Sequence, residues 1–217
     1  LIPHHSNTTG LMRALKPLSN WPCFVVANGP NPPNNLPFEV TLIQSPEIGF
    51  SKSVNIGLSC MQRQGFSHVL VLNDDALIDA KSVHRLIAAI HQRSGAIGPL
   101  VIEKNRRNYG YRITRWGRIA ALKKPAPPQV LTGACLLIPS WTRFDPAYPH
   151  GFEDFDLCLR LSKLDLEICC IPEAICHHDG GKTLSKSNPL KQRASVYGQL
   201  KLFNGNAPLI LIMNGLQ

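Results

Sequence analysis

Three consecutive polar residues, Asn73, Asp74 and Asp75, directly follow the most apolar strand-like run in the chain, HVLVL at 68–72. Oxygen-bearing side chains at the end of a buried strand suit a divalent cation, because Mg²⁺ and Mn²⁺ prefer oxygen ligands. The alternative is that Asp75 caps a helix, since a helical pattern begins shortly after it. The residue types alone leave both interpretations open.

A second acidic pair, Glu153 and Asp154, stands at the start of a predicted helix at 152–164. Acidic side chains are common in a first helical turn, because they interact favourably with the positive end of the helix dipole. The strand-like run TGACLLIP before this helix and the paired histidines after it favour a functional role over this structural one. Spacing alone does not decide between these two roles.

Two histidines, His177 and His178, follow a predicted strand and precede a pair of glycines. In a chain that also has the Asn-Asp-Asp step, they could complete a site for Mg²⁺ or Mn²⁺. A zinc site that includes Cys176 is the weaker alternative, because no second pair of ligands stands at the usual spacing.

The elements that must position these residues alternate along most of the chain. Apolar runs predict strands and helical periodicity predicts helices, the strands at 23–30, 39–44, 68–73, 96–102, 129–139 and 167–172 and the helices at 51–65, 79–95, 152–164 and 188–203. This order predicts an α/β fold with a mostly parallel central sheet flanked by helices. Ligands bind beyond the carboxyl ends of the strands in such sheets, and Asn28 and Asn73 fall at those ends.

The composition indicates one globular domain with an anionic partner. The chain has 217 residues, of which 44% are hydrophobic, and its net charge is +9. Such a charge favours a nucleotide phosphate, a nucleic acid or an acidic membrane surface. Segment 103–128 holds eight of the 23 cations against one acid, Glu103. This segment is either a solvated loop or a contact for an anionic partner such as a membrane face.

The cysteine pattern indicates a reducing compartment. Seven cysteines occur, no C-x-x-C spacing is present, and most stand in apolar surroundings. Buried, reduced thiols explain this better than a disulfide framework, which predicts a cytoplasmic protein, with peripheral contact to the inner membrane face left open. No apolar run reaches the length of a membrane span, and no signal peptide is visible.

The order of five motifs resembles the family 2 glycosyltransferases of the GT-A fold, most closely the bacterial rhamnosyltransferase-like branch. The motifs are GFSKSVNIGL, HVLVLNDDALID, LTGACLLIP, FDPAYPHGFEDFDLCLRL and PEAICHHDGG. The resemblance extends from the first strand to His178, and the combination is specific although each motif alone is weak. It implies a single GT-A domain over 1–217, with a nucleotide-sugar-binding half at 1–102 and an acceptor-binding and catalytic half at 103–217.

The resemblance assigns the metal and diphosphate end of the site. Asp75 matches the last acid of the family's DxD-type motif and would bind the metal that bridges the donor diphosphate. Asn73 stands where an Asp is common and would face the ribose or a metal-bound water, and Asp74 would do either or support the turn. His177 matches the late His of the family as a metal or diphosphate ligand, with His178 as the alternative.

The resemblance also assigns the sugar end of the site. Asp154 matches the catalytic base, and Glu153 would orient the acceptor or the base. Asn55 matches a helix Asn near the nucleotide, and the turn formed by Gly133 and Ala134 would line the donor sugar.

One position departs from the family pattern. Ala27 stands where many members have an Asp that contacts the nucleobase or ribose, so that contact is absent or has moved to Asn28 or to a backbone group.

The resemblance implies an inverting glycosyltransferase assisted by Mn²⁺ or Mg²⁺. It would move a sugar from a UDP-, dTDP- or GDP-linked donor to a hydroxyl of a saccharide or lipid-linked acceptor, in polysaccharide biosynthesis of the cell envelope. A sugar nucleotidyltransferase and an inactive, donor-binding relative remain as alternatives. Nucleic acid is not an expected partner, because the chain has no recognisable binding motif and only 7% aromatic residues.

Overall fold

The computed structural model describes residues 1–37, 39–46, 49–114, 118–148, 151–180 and 189–203. The strands, in chain order, are β1 (Ile2–His4), β2 (Cys23–Ala27), β3 (Val40–Gln44), β4 (His68–Leu72), β5 (Ala76–Ile78), β6 (Ser94–Glu103), β7 (Arg106–Asn108), β8 (Tyr111–Ile113), β9 (Ile119–Ala121), β10 (Cys135–Pro139) and β11 (Glu167–His178). The helices are α1 (Thr8–Leu15), α2 (Phe50–Arg63), α3 (Ala80–Ala88), α4 (Glu153–Lys163) and α5 (Pro189–Leu202). None of the helices in these ranges is long and apolar enough to span a membrane. Arg115 of the basic segment and position 188 of the predicted last helix lie outside the described residues.

Two of the three sheets in the described part of the chain meet at Leu1 and form the central layer, and the third sheet is the β8–β9 pair. Strands β1, β2 and β3 pair in parallel, and the larger sheet has the order β4-β10-β6-β11-β5. The Leu72 N–H donates to the Leu1 carbonyl at 3.0 Å, and the Leu1 amino group donates to the Leu70 carbonyl at 2.9 Å. These bonds place β1 beside β4.

Two hydrophobic clusters cover the two faces of this layer. In β2, Phe24 and Val26 face one cluster while Cys23 and Val25 face the other, as the two-residue period of a strand requires. Helices α2 and α4 pack on the first face, and α1 and α3 pack on the second. Each fully buried Leu or Val contributes roughly 1.5–3 kcal/mol to this packing. The predicted α/β fold with a central sheet between helices is therefore confirmed.

The sheet is mixed in direction. Strand β11 is parallel to β6, whereas β10 runs antiparallel to both β4 and β6. Only 135–139 of the predicted strand 129–139 is a strand, and α3 ends at Ala88 rather than at 95. Strand β11 continues to His178 instead of ending near Pro172, because the pairing with β6 shifts register between Ile171 and Ile175. Such a shift accommodates Pro172, which has no backbone N–H to donate to the neighbouring strand.

All seven cysteines are free, four of them buried and three partly exposed. The division of the chain into two functional halves stays a prediction.

Candidate active site

The acidic tip at the end of β4 is held by backbone contacts on two sides. The Asn73 N–H donates to the Ala134 carbonyl at 3.0 Å, and the Asp179 N–H donates to the Asp75 carbonyl at 3.0 Å. The tip continues into β5 and not into a helix, and Asp79 caps α3 through a 2.6 Å bond from the Ser82 N–H. The helix-cap explanation of Asp75 is therefore wrong, because another aspartate performs that role.

Asp75 and His178 form a close pair at this tip. The His178 Nε2 atom lies 3.1 Å from Asp75 Oδ1, and the two side chains are 17% and 11% exposed. Burial lowers the pKa of His178, but the hydrogen bond and charge of Asp75, together with the charges of Glu103 and Asp179, raise that pKa overall. His177 is exposed, because successive side chains of β11 point to opposite faces. The structure thus places His178, the alternative histidine, against Asp75.

Asp74 is anchored by a histidine that the sequence did not single out. The His4 Nδ1 atom lies 2.9 Å from Asp74 Oδ2, and the His4 side chain is fully buried. The Asn7 amide donates to the Asp74 carbonyl at 3.3 Å. Among the described residues, His4 Nε2 is buried without a hydrogen-bond partner. The signal available in the sequence was a polar run, His4 to Asn7, directly after a short apolar strand.

The second acidic pair begins α4 after an unusual turn. Gly151 and Phe152 both have positive φ values, 82° and 71°, before the helix starts at Glu153. A left-handed conformation costs roughly 1–2 kcal/mol for a residue with a side chain such as Phe152, and such strain clusters at functional sites. The turn leads directly into the acidic pair at the start of the helix.

Backbone N–H groups hold the Asp154 carboxylate at both oxygens. The Gly133 N–H donates to Oδ2 at 2.7 Å, and the Phe155 N–H donates to Oδ1 at 2.9 Å. Burial raises the pKa of Asp154, and these two donors partly offset that increase. The remaining lone pairs of the carboxylate can still accept a proton.

Glu153 lies in a different environment from its neighbour. Its Oε2 atom is buried and has no hydrogen-bond partner among the described residues. Burial, followed by the charge of Asp154, raises the pKa of Glu153 to about 8. At neutral pH Glu153 is therefore mostly protonated.

A single turn connects the two acidic pairs. Gly133 contacts Asp154, and the next residue, Ala134, accepts the hydrogen bond from Asn73. A methyl group on Gly133 would lie 3.3 Å from the Asp154 Cβ atom, so the glycine permits this close approach. The structure thus brings the predicted metal-binding and base residues to one edge of the sheet.

The two predicted donor-binding asparagines have different surroundings. Asn28 follows β2 and is buried, and its amide contacts the His5 ring at 3.1 Å and the Ser53 hydroxyl. Asn55 donates to the Phe144 carbonyl and accepts from the Phe144 N–H, both at 2.8 Å. Both ends of the Asn55 amide are therefore engaged in holding a backbone segment to α2.

Two cavities of similar size lie at opposite ends of the strands. A polar groove of about 270 Å³ follows the carboxyl ends of β2 and β3, where Ala27, Gly29 and Gln44 line it. An apolar cavity of about 260 Å³ lies at the other end, lined by side chains that include Trp21, Cys23 and Ile87. Of these two, the polar groove lies at the edge that carries the acids.

The donor set suits one divalent cation with few protein ligands. In the described ranges, no group of three or more His, Cys, Asp or Glu side chains is arranged to hold a metal ion. Asp75 and His178 nevertheless offer an oxygen and a nitrogen 3.1 Å apart, close enough for both to bind one cation. A cation held by two protein ligands takes its remaining ligands from phosphate and water.

Comparison with solved structures identifies the fold. GalNAc-T7, solved with UDP, GalNAc and Mn²⁺, superposes with a TM-score of 0.70 at 12% identity over 94% of this chain and 46% of its own. The mannosyltransferase PcManGT from Pyrobaculum calidifontis, solved with GDP-Man and Mn²⁺, superposes with a TM-score of 0.63 at 12% identity, over 97% of this chain and 65% of its own. TarS from S. aureus superposes with a TM-score of 0.57 at 10% identity, over 98% of this chain and 50% of its own.

The chain therefore spans about half to two thirds of the length of these proteins. No protein-family model matches the chain, and no curated protein matches it. The structural similarity extends over nearly the whole chain, and this protein has the GT-A glycosyltransferase fold.

Proposed function

We propose that the protein is a nucleotide-sugar glycosyltransferase that acts by inversion. The observation that carries this proposal is the turn at Gly133 and Ala134, which contacts Asp154 on one side and the Asn73 to Asp75 tip on the other. A carboxylate for the donor end and a separate carboxylate for the acceptor end thus share one edge of the sheet. The nucleotide and Mn²⁺ present in two of the solved structures with this fold support the same assignment.

The donor end would be built on Asp75 and His178. These two side chains would hold Mn²⁺, with Mg²⁺ as the second candidate, and the cation would neutralise the charge that develops on the leaving nucleoside diphosphate. Asp74 would keep the tip in place through its contact with His4. The nucleoside would lie over the polar groove, where Gln44 offers the side-chain hydrogen bonds that Ala27 cannot provide.

The acceptor end would be built on Asp154. Its carboxylate is fixed in orientation by two backbone donors, and its raised pKa makes it a better proton acceptor than a free aspartate. It would take the proton from the acceptor hydroxyl as that oxygen attacks the anomeric carbon and the diphosphate leaves from the opposite face. One displacement of this kind inverts the anomeric centre. Glu153, protonated at neutral pH, would donate a hydrogen bond to the acceptor or to the base.

The donor end is tested by calorimetric titration with UDP and GDP, with and without Mn²⁺ or Mg²⁺. We expect the cation to strengthen nucleotide binding tenfold or more, and Asp75→Ala to remove that gain, because a single ligand would remain. Glu173→Ala, which removes an exposed acid of β11, is the matched control and should keep the gain. Cation-independent binding in the parent protein would contradict the metal assignment.

The acceptor end is tested by release of UDP or GDP from nucleotide sugars in the presence of a panel of saccharide acceptors. We expect Asp154→Asn to keep nucleotide binding and to reduce release about 10²- to 10⁴-fold, the usual contribution of a general base. Unchanged release would remove Asp154 from the mechanism. An inactive relative would bind nucleotide without release, and a nucleotidyltransferase would instead form pyrophosphate from a nucleoside triphosphate and a sugar phosphate. The donor sugar, rhamnosyl or otherwise, stays a prediction, as does the cell-envelope product.

A further inference from the structure

Beside the acids lies a strongly basic structure, here called the basic arm and defined as residues 103–114 and 118–128. It consists of the turn between β6 and β7, the β8–β9 hairpin and the segment that follows the hairpin. It contains one acid, Glu103, and seven cations, which are Lys104, Arg106, Arg107, Arg112, Arg118, Lys123 and Lys124.

The cations of the basic arm are exposed, and no acidic side chain of the described residues pairs with them. All seven side chains are exposed, and none forms an ion pair with another residue in the part of the chain that the structure describes. Seven like charges in so short a segment repel one another and attract an anion. A surface with charges of one sign therefore indicates an extended anionic partner, whereas a merely solvated surface usually has charges of both signs.

Backbone pairing holds the basic arm together despite this repulsion. The Tyr109 N–H donates to the Leu122 carbonyl at 2.9 Å, and the Leu122 N–H donates to the Gly110 carbonyl at 2.8 Å. The inner side chains of the hairpin, Tyr111 and Ile119 among them, pack against the core. The arm is thus a folded structure whose outer surface carries the cations.

The basic arm adjoins the acceptor end of the site. The Tyr111 ring packs against Phe155 at 5.1 Å between centroids, and Phe155 directly follows the proposed base, Asp154. At its other end the arm begins at Glu103, whose Oε2 atom lies 4.0 Å from His178 Nδ1. The basic arm is therefore anchored beside both acidic pairs, at Tyr111 and at Glu103.

We propose that the basic arm binds the acceptor, and that this acceptor carries repeated phosphate groups. The inference rests on the proposed glycosyltransferase function and adds the substrate class. A nucleotide-sugar donor has only two phosphates, and the cation at Asp75 and His178 would neutralise them, so the donor does not account for seven further cations. A polyanionic acceptor that passes over Tyr111 would bring a hydroxyl to Asp154 while its neighbouring phosphates contact the arm.

The test uses the full chain and inorganic polyphosphate as the probe, labelled with a fluorophore and followed by anisotropy at several salt concentrations. The variant is R106Q/R107Q, which removes two exposed cations of the arm. The matched control is R63Q/K81Q, which removes two exposed cations on α2 and α3. UDP binding with Mn²⁺ is measured on the same samples.

We expect polyphosphate to bind the parent protein. R106Q/R107Q should weaken binding about tenfold or more and lower the slope of log Kd against log salt by about 2, because each lost phosphate contact removes about 1. The control should change neither quantity, and UDP binding should persist in all three proteins. Absence of polyphosphate binding, or equal weakening in the control, would overturn the proposal.

Two further outcomes separate the proposal from its alternatives. If R106Q/R107Q abolishes binding to vesicles of phosphatidylglycerol and phosphatidylcholine but leaves polyphosphate affinity unchanged, the arm is a membrane contact and the proposal fails. If UDP binds with Mn²⁺ but polyphosphate does not bind, the acceptor class alone is wrong. If the parent protein does not bind UDP in the presence of Mn²⁺, the proposed function is wrong and this inference fails with it.

Discussion

Replacement of Glu153 by glutamine should make the protein's stability less dependent on pH. Burial and the neighbouring charge of Asp154 raise the pKa of Glu153 to about 8 in the folded protein, from 4.5 in an exposed carboxyl. Below pH 4.5 the group is protonated in both states and has no effect. Above pH 4.5 only the unfolded chain releases the proton, so the free energy of unfolding falls until the pH passes 8.

The magnitude follows from these two values. Between pH 5 and pH 8 this titration lowers the free energy of unfolding of the parent protein by about 3–4 kcal/mol, since each pH unit within the window contributes about 1.4 kcal/mol. We take the free energy of unfolding to fall by about 2 kcal/mol per molar urea. From pH 5 to pH 8 the urea midpoint of the parent protein should then fall by about 1.5–2 M more than the midpoint of Glu153→Gln. The buried glutamine amide adds a constant penalty of about 1–3 kcal/mol, which shifts the variant at every pH alike.

The assay is urea denaturation of both proteins at pH 5, 6, 7 and 8, with the difference in unfolding free energy plotted against pH. All other titrating groups cancel in that difference if they are unaffected by the substitution. Glu173→Gln, on an exposed side chain of β11, serves as the control and should give a flat difference. A flat difference for Glu153→Gln would refute the reasoning, because it would mean that Glu153 is ionised in the folded protein at its ordinary pKa.

Two further substitutions test how the acidic tip is supported, and a third tests how Asn55 holds the Phe144 backbone to α2. His4→Phe should preserve the fold but release the Asp74 carboxylate, which would weaken Mn²⁺-dependent UDP binding by about tenfold in calorimetry, as loss of an outer-shell partner does. Gly10→Ala should lower the unfolding free energy by about 1–3 kcal/mol in urea denaturation, because the added methyl would lie 2.2 Å from the Asp74 carbonyl oxygen. Asn55→Ala should lower the unfolding free energy by about 2–4 kcal/mol in the same measurement, since the Asn55 amide bonds both backbone groups of Phe144. It should leave the affinity for UDP unchanged.

Local patterns predicted the elements well where one face of the element is apolar. Helix α2 was predicted within two residues, with Val54, Leu58 and Met61 on its buried face. The strand at β4 and the helix at α4 were also predicted within a residue or two at each end. In each case the period of the apolar residues matches the geometry of the element, and no distant contact is needed to form it.

Elements that depend on distant partners were not predictable in this way. Strand β5 has only three residues and exists because it pairs antiparallel with β11, which sets Ala76 opposite His178. That pairing decides which of the two histidines faces Asp75, and the sequence order of His177 and His178 contains no information about it. The contact between His4 and Asp74 joins residues 70 positions apart and was missed for the same reason.

The antiparallel direction of β10 is what creates the candidate active site. In this register Cys135, the first residue of β10, pairs with Leu72, the last residue of β4. The turn that precedes β10 therefore lies at the carboxyl edge of the sheet, where its Ala134 carbonyl meets Asn73. A parallel β10 would place this turn at the opposite edge, about 17 Å away over five residues at roughly 3.3 Å each. The two acidic pairs would then be separated, so the proposed chemistry depends on a strand direction that local sequence patterns do not specify.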